Sequence, residues 1–123
     1  MYSSKSKAIE TVVNNYFEGL FLGNVDQLKN VFDKQAVVYG DIHGEVFEMP
    51  IGQFLARVKQ RKSPNDLNET FKMKVLGIEA MGHNAMVKAH VPMLGKNYYD
   101  FLSLHCSDKE WKIVNKLFTH VEG

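Results

Sequence analysis

The sequence has little cysteine and no excess of charge of either sign. Cys106 is the only cysteine in 123 residues, which excludes an intramolecular disulfide and a cysteine-cluster metal site and fits a reducing compartment. The formal net charge is only +1, so strong electrostatic attraction to nucleic acid or to a membrane surface is not indicated. We therefore expect neither a nucleic-acid partner nor a membrane partner.

Long apolar runs are also missing from the sequence. No run approaches the roughly 18 residues that a membrane-spanning helix needs, and the stretch from Met1 to Lys7 has no apolar signal core. A hydrophobic content of 45% is ordinary for a globular chain, and the length suits one core. We expect a cytoplasmic protein in which residues 1–123 form one domain.

The N-terminal part of the chain predicts two helices. From Ser6 to Phe21, apolar residues recur at the spacing of one helix face, and this is the strongest helical pattern in the sequence. Gly23 can supply the left-handed residue that ends this helix. Asn24 followed by Gln27 is a capping pattern that predicts a short second helix.

A third helix is predicted after Pro50, which suits a first helical turn because its missing N–H has no partner there. Phe54 belongs to the apolar stripe of this helix. Four basic residues lie near its end: Arg57, Lys59, Arg61 and Lys62. We interpret them as a solvated helix end that complements the helix dipole, because no aromatic residues are interleaved with them as in a nucleic-acid-binding patch.

The remaining segments predict strands, because aromatic and branched residues alternate at period two between turn-forming clusters. One strand is expected at residues 36–42, followed by a turn at His43 and Gly44, and two more at residues 70–81 and 85–91. Residues 96–120 predict two long strands joined by a polar turn at residues 107–110. Three helices, with a strand or hairpin before the third, and then a run of antiparallel strands favour an α+β fold with the helices laid on one curved sheet.

The last two strands predict a carboxylate on an apolar face. If Cys106 lies opposite Trp111, an unbroken antiparallel ladder pairs Leu102 with Asn115. Asp100 and Asn115 then share the apolar, inward-facing side of the sheet. A buried unpaired charge is costly, so a carboxylate there indicates either a satisfied buried acid or a binding site.

Two further placements follow from the same alternation. The unbroken ladder puts Lys116 on the outer face of the sheet. A register with Pro92 opposite Asn97 in the preceding hairpin places the small residue Ala89 beside Asp100. This leaves room for a water or a ligand, and the sequence therefore predicts a pocket next to Asp100.

Both ends of the chain carry a family resemblance. The stretch from Ala8 to Val38 resembles the start of the nuclear transport factor 2-like superfamily, and the stretch from Tyr98 to Phe118 is similar to its putative lumazine-binding branch. The resemblance implies a cone-shaped fold in which a strongly bent, mostly antiparallel sheet wraps around a long N-terminal helix, with two shorter helices and a cavity at the wide end. It also implies homodimers packed through the outer face of the sheet. The expected dimer face contains Tyr99, Phe101, Val114 and Phe118.

The ketosteroid isomerase branch of this superfamily provides a catalytic comparison. The match places Tyr16 and Asp100 at the positions of that branch's oxyanion hole, where a phenol and a neutral acid hold an enolate oxygen. It places Gly40 where that branch has its general base. Asp41 or His43 is the alternative base, although on a regular strand the side chain of Asp41 points to the opposite face.

No metal or cofactor is expected from the sequence. The five histidines show no His-x-His or His-Glu-x-x-His spacing, and the glycines form no phosphate-binding loop. Cys106 lies beside a turn without a recognisable activating arrangement. These patterns argue against a metal site and exclude nucleotide hydrolysis.

The sequence is compatible with three functional hypotheses. The first is a small-molecule-binding protein whose ligand has an apolar or aromatic body and a polar end. The second is an isomerase-like or cyclase-like enzyme that uses Tyr16 and Asp100, with Asp41 or His43 as base. The third is a non-catalytic association domain. The residues expected to contact a ligand are Tyr16, Tyr39, Phe54, Tyr98, Asp100, Trp111 and Asn115.

Overall fold

The computed structural model describes residues 4–122, which form three helices and six strands. In chain order the elements are α1 (Ser4–Leu22), α2 (Val25–Val31), β1 (Phe32–Ile42), β2 (Glu45–Pro50), α3 (Ile51–Gln60), β3 (Lys74–Met81), β4 (Asn84–Met93), β5 (Lys96–Ser107) and β6 (Glu110–His120). The expected helices and hairpins are present. Strand β3 is shorter than predicted, because residues 70–73 lie outside it.

The six strands form one curved sheet in the order β2-β1-β6-β5-β4-β3. All neighbouring strands are antiparallel except β1 and β6, which are parallel. The two shorter helices come directly before β1 and directly after β2, and α1 packs against β3, β4 and β6. The α+β class and the cone-shaped architecture are confirmed.

Helix α1 forms because its apolar face is continuous and buried. Its side chains Ile9, Val13 and Leu20 are fully enclosed in the core. Gly23, with φ +68°, ends the helix in the left-handed conformation that glycine adopts at low cost. The side-chain oxygen of Asn24 accepts a hydrogen bond from the Gln27 N–H at 3.1 Å, which caps α2 as predicted.

The ladder between β5 and β6 contains an irregularity that the sequence does not reveal. Cys106 pairs with Trp111 and Leu104 pairs with Ile113, as expected. The register then shifts, so that Ser103 pairs with Asn115 and Val114 is the extra residue. A bulge of this kind reverses the face of every later side chain on its strand. The predicted pairing of Leu102 with Asn115 is therefore wrong.

The bulge exchanges the faces of two polar residues. Lys116 pairs with Leu102 and is only 4% exposed on the inner face, where the unbroken ladder had placed Asn115. Asn115 lies on the outer side and donates a hydrogen bond to the Val37 carbonyl at 3.3 Å. Phe118 also turns inward, opposite Asp100, and so does not belong to the outer face on which it was expected.

The hairpin of β4 and β5 has the predicted register. Pro92 pairs with Asn97, and Ala89 pairs with Asp100. Asp100 is 1% exposed, so the carboxylate lies within the apolar interior. None of the helices within residues 4–122 is long and apolar enough to cross a membrane.

Candidate functional site

A pocket, here called the inner pocket, lies between the inner face of the sheet and α3. The centre of a water-sized molecule can occupy about 70 Å³ of it, and its unoccupied space up to open solvent is about 530 Å³. Its apolar lining consists of Val38, Ile42, Phe47, Met49, Phe54, Val91, Met93 and Phe118. Its polar lining consists of Arg57, Arg61, Tyr98, Asp100 and Lys116. The pocket thus combines a mostly apolar lining with a small set of polar and charged groups, as ligand sites commonly do.

Asp100 is held at the inner wall by Tyr16. The fully buried Tyr16 hydroxyl donates a hydrogen bond to Asp100 Oδ2 at 2.5 Å. Burial raises the pKa of Tyr16 well above its ordinary value, and the neighbouring charge of Asp100 raises it further. The phenol therefore stays protonated, and its only proton is directed at Asp100 and not at the pocket.

The other carboxylate oxygen of Asp100 is unpaired. Asp100 Oδ1 is fully buried and has no hydrogen-bond partner among the described protein atoms. Asp100 is also one of the residues that line the inner pocket. Since buried polar atoms are nearly always hydrogen-bonded, this oxygen is a free acceptor for a donor inside the pocket.

Lys116 is the second buried charge of the inner pocket. Its Nζ lies 4.0 Å from Asp100 Oδ2 and 4.5 Å from the centre of the Phe54 ring. Burial lowers the pKa of Lys116 to about 8, although the charge of Asp100 opposes this shift. The ion pair and the aromatic rings both stabilise an ammonium group that has been removed from water.

Arg61 reaches the inner pocket from the end of α3. Its backbone N–H bonds the Arg57 carbonyl at 3.1 Å, which fixes the residue at the helix C-terminus. The side-chain atom Nη2 is buried and has no hydrogen-bond partner among residues 4–122. Burial lowers the pKa of the guanidinium; Tyr98 and Tyr16 oppose this shift, and the charge of Arg57 adds a smaller contribution in the same direction as burial.

The loop after α3 holds Arg61 in place. Ser63 and Asp66 cap each other: the Ser63 N–H donates to Asp66 Oδ2 at 3.2 Å, and the Asp66 N–H donates to Ser63 Oγ at 3.0 Å. The Asn65 N–H donates to the Phe21 carbonyl at 3.0 Å, which ties the loop to α1. The position of Arg61 is therefore built into the fold and is not that of a freely moving surface cation.

Two aromatic residues frame the apolar part of the inner pocket. The Tyr98 ring lies edge-on to the Phe118 ring, with 5.9 Å between their centres. Partial burial raises the pKa of Tyr98, so its hydroxyl remains a proton donor. At the rim, the Arg57 guanidinium stacks over the Phe47 ring at 5.3 Å.

The structure brings together four of the residues that were expected to contact a ligand. Phe54, Tyr98 and Asp100 line the inner pocket, and Tyr16 lies directly behind Asp100. The other three lie elsewhere: Tyr39 is 43% exposed on the outer face, Asn115 is outside because of the bulge, and Trp111 lies away from the inner pocket on β6.

Neither candidate base reaches the inner pocket. Asp41 Oδ1 accepts a hydrogen bond from Thr119 Oγ1 at 2.8 Å on the outer side of the sheet. His43 lies in the turn after β1 with a largely exposed side chain, and its Nδ1 is 2.7 Å from Glu122 Oε1. Neither residue is among those that line the pocket.

Gly40 shows why a base is not accommodated at that position. A Cβ atom added there would lie 2.2 Å from the Phe118 carbonyl oxygen and 2.5 Å from Cδ1 of the Phe118 ring. One of these contacts is with backbone and cannot be relieved by a rotamer change. The inward Phe118 ring thus occupies the space that a side chain at Gly40 would need.

A cluster of His43, His120 and Glu122 at the chain's C-terminal end resembles a metal site in composition. Their nearest ligand atoms lie within 4.8 Å of one another. However, His120 Nδ1 accepts a hydrogen bond from the Asn97 N–H at 2.9 Å, so the neutral ring carries its proton on Nε2. His120 Nε2 lies 3.5 Å and His43 Nδ1 lies 2.7 Å from Glu122 Oε1, so the three groups pair with one another in this cluster.

Arg61, Lys116 and Phe118 are among the residues of the inner pocket that were not recognised from the sequence. Arg61 had been interpreted as solvated, yet it follows Phe54 and Val58 at spacings of seven and three residues, which places it on the buried face of α3. Lys116 and Phe118 were placed on the wrong face because the bulge at Val114 has no sequence signal. Helical spacing could have identified the first of these residues, but not the other two.

Comparisons with known proteins agree on the fold. The putative lumazine-binding family matches residues 4–119. Solved structures of NTF2-like proteins of unknown function superimpose closely: one from Methylobacillus flagellatus KT has a TM-score of 0.89 at 19% identity and covers 99% of this chain and 96% of its own. One from Shewanella baltica OS155 has a TM-score of 0.87 at 20% identity and covers 100% and 98%.

A third NTF2-like protein of unknown function, from Silicibacter pomeroyi DSS-3, has a TM-score of 0.82 at 21% identity and covers 98% of this chain and all of its own. At these identities the similarity concerns the fold alone. Comparison with curated proteins gave no match. Because the family match spans nearly the whole chain, the protein belongs to the putative lumazine-binding family.

Proposed function

We propose that the protein binds a small molecule in the inner pocket. The ligand has an apolar or aromatic body that packs against Phe54 and Phe118, and a hydroxyl or N–H group that donates to Asp100. Family membership supports a small-molecule-binding scaffold, and the polar pocket residues give that scaffold a specific recognition point.

The observation that carries this proposal is the unpaired oxygen of Asp100. Oδ1 is buried beside a pocket, while Oδ2 is already engaged by Tyr16 and faces Lys116. An unsatisfied buried acceptor costs about 1–3 kcal/mol, and a ligand donor would recover that free energy. Removing water from the apolar lining would contribute the rest of the affinity.

The volume of the inner pocket limits the size of the ligand. One water needs at least roughly 10–15 Å³ of space for its centre, so about 70 Å³ corresponds to a few water molecules. This is enough for a ligand of about one ring, with any larger part extending into the open mouth. We therefore propose a compact ligand.

The proposal is tested by screening a library of single-ring fragments by thermal shift and confirming the hits by ligand-observed NMR. The wild type is compared with Asp100→Asn, and with the double variant Asp100→Asn/Lys116→Met, which leaves neither partner of the ion pair alone. We expect hits that carry a hydrogen-bond donor to bind the wild type at least tenfold more tightly than either variant.

Two outcomes would contradict this function. The first is the absence of any hit with the folded wild type. The second is a set of hits whose affinities do not change in either Asp100 variant. A matched control is Asp33→Asn, because Asp33 is a carboxylate on β1 that does not line the inner pocket.

The enzymatic alternative receives less support from the geometry. Tyr16 and Asp100 are adjacent, as an oxyanion hole requires, but the Tyr16 proton is directed at Asp100. Asp100 is the only carboxylate that lines the inner pocket among residues 4–122, and Asp41 and His43 lie outside it. Proton abstraction from a bound ligand therefore has no assigned base, and binding is the better-supported function.

We also propose that the outer face of the sheet pairs with a second copy of the chain. Leu117 pairs with Tyr39 on one side and with Phe101 on the other, and all three are between 38% and 43% exposed. A contiguous apolar row on a sheet surface favours a covered interface. Tyr99 stacks on His90 beside this row, while Phe118 is excluded from the proposed interface by its inward orientation.

We propose that the protein is located in the cytoplasm. The single cysteine, Cys106, supports a reducing compartment. Fractionation of the producing cells followed by immunodetection tests this point, and recovery from an oxidising compartment would contradict it.

A further inference from the structure

We propose that the ligand of the inner pocket carries a carboxylate, and that Arg61 binds it. This inference deepens the proposed binding function and rests on it. It assigns the second polar contact of the ligand, in addition to the donor that faces Asp100. The ligand class is then a small aromatic or aliphatic carboxylic acid with a hydroxyl or N–H group elsewhere on its body.

The charges of the inner pocket do not balance. Lys116 and Asp100 form an ion pair across 4.0 Å, so one positive and one negative charge compensate each other. Arg61 and Arg57 remain, and no other Asp or Glu among the described residues lines the pocket. The pocket consequently carries an excess of positive charge that an anionic group would neutralise.

Arg61 is the residue best placed to bind that anion. Its Nη2 atom is buried and has no acceptor among the described residues, whereas Arg57 is exposed and already stacks on Phe47. A buried guanidinium nitrogen without an acceptor is costly. The nearby positive charge of Arg57 adds repulsion, which an anion placed between the two residues would relieve.

The planar guanidinium group of Arg61 favours a carboxylate as the anionic group of the ligand. The two N–H groups of its fork match the two oxygens of a carboxylate, which gives a short, bidentate, charge-assisted contact. Arg61 and Asp100 line the same mostly apolar pocket, and its apolar lining suits a ring or a short alkyl segment. A neutral amide of the same shape would keep the apolar contacts but lose the charge-assisted bonds, and this difference makes the inference testable.

The test measures the binding of benzoate and benzamide by ligand-observed NMR titration at pH 7. These probes share a ring and a planar head group but differ in charge. The protein variants are wild type, Arg61→Gln, Arg61→Lys and Lys62→Gln. Lys62 is the matched control, because it is an exposed cation next to Arg61 in the chain and does not line the inner pocket.

We expect benzoate to bind the wild type at least tenfold more tightly than benzamide. Arg61→Gln should remove this preference, Arg61→Lys should keep only part of it because the fork is lost, and Lys62→Gln should leave it unchanged. Equal affinities of the two probes for the wild type, or a preference that survives in Arg61→Gln, would overturn the role of Arg61.

Failure of this inference can be distinguished from failure of the proposed function. If benzamide binds the wild type as well as benzoate does, carboxylate recognition is overturned while small-molecule binding stands. If neither probe binds the wild type, carboxylate recognition is again overturned, but the binding function fails only when the fragment library also yields no hit. The benzoate and benzamide comparison on the wild type requires no variant, so a variant that does not fold leaves the result intact.

Discussion

The Tyr16 hydroxyl donates a hydrogen bond to Asp100 Oδ2, and this bond joins α1 to β5 across 84 residues of sequence. Both residues are buried, so the contact connects the helix to the inner wall of the sheet without access to water. It leaves the second oxygen of Asp100 without a hydrogen-bond partner among the described residues, on a side chain that lines the inner pocket. The same bond therefore contributes to stability and determines which oxygen is available to a ligand.

The first prediction concerns this bond. We expect Tyr16→Phe to lower the free energy of unfolding by about 1–3 kcal/mol, because the variant leaves a buried carboxylate oxygen without its donor. Chemical denaturation monitored by circular dichroism measures the change. Tyr39→Phe is the control, since the Tyr39 ring is exposed on the outer face. Equal stabilities of Tyr16→Phe and the wild type would contradict the role assigned to the bond.

The second prediction is a pH dependence that originates in Lys116. Its pKa is about 8 in the folded protein, below the ordinary value of 10.5, so the unfolded chain binds more protons between these values. Stability must then rise with pH across this interval. Relative to that of Lys116→Met, the free energy of unfolding of the wild type should rise by about 2 kcal/mol between pH 7 and pH 10, since one pKa unit corresponds to about 1.4 kcal/mol.

Tyr16 acts in the opposite direction at higher pH. Its raised pKa keeps the folded phenol protonated while the unfolded chain loses that proton above its ordinary value of 10.0, so stability falls there. The comparison with Lys116→Met cancels this contribution because both proteins contain Tyr16. Urea denaturation at each pH provides the measurement, with Lys34→Met as a control for an exposed lysine. A difference that stays constant from pH 7 to pH 10 would be inconsistent with a buried, titrating Lys116.

The third prediction concerns Gly40. We expect Gly40→Ala to lower the free energy of unfolding by about 1–3 kcal/mol or more, the usual cost of overpacking. The reason is that the added methyl group would collide with the Phe118 backbone. Gly77→Ala on β3 is the matched control, since nothing lies within 4 Å of a Cβ added there. The melting temperatures of both variants are measured by thermal unfolding. Similar melting temperatures for the two would show that β1 and β6 are farther apart than described.

The fourth prediction tests the proposed dimer. Leu117→Glu places a charge in the centre of the exposed apolar row, and we expect it to convert a dimer into a monomer in light scattering coupled to size-exclusion chromatography. Leu22→Glu is the control, because Leu22 is similarly exposed at the end of α1 and lies outside the sheet. A wild type that is monomeric at micromolar concentration, or a Leu117→Glu variant that stays dimeric, would exclude this face as the interface.

Much of the fold follows from local sequence patterns. The helical spacing of α1, the cap formed by Asn24 and the alternation in the strands all identify their elements, because each pattern reflects a face that must be buried. The register of β4 and β5 was also predictable, since no bulge interrupts the ladder from the Asn84–His105 pair to the Met93–Lys96 pair. These features depend on neighbouring residues and regular geometry, which a sequence displays directly.

The inner pocket was only partly predictable, because its composition depends on one irregularity. Asp100 is positioned by the regular ladder with β4, which contains no bulge, and it was placed correctly together with its helix partner Tyr16. Lys116 and Phe118 lie beyond Val114, and the inserted residue reverses their orientation. A bulge is stabilised by the surrounding tertiary packing, so alternation alone assigns such residues to the wrong face.

The position of a bound ligand is the most direct test of the central claim, and the methionines of the chain provide the probes. Met49 and Met93 line the inner pocket, whereas Met81 on β3 and Met86 on β4 are exposed and do not line it. Protein labelled with 13C at the methionine methyl groups is titrated with the tightest fragment from the screen. We predict that the methyl signals of Met49 and Met93 shift and that those of Met81 and Met86 do not. Shifts confined to Met81 and Met86, or signals of Met49 and Met93 that stay unchanged at saturation, would contradict binding in the inner pocket.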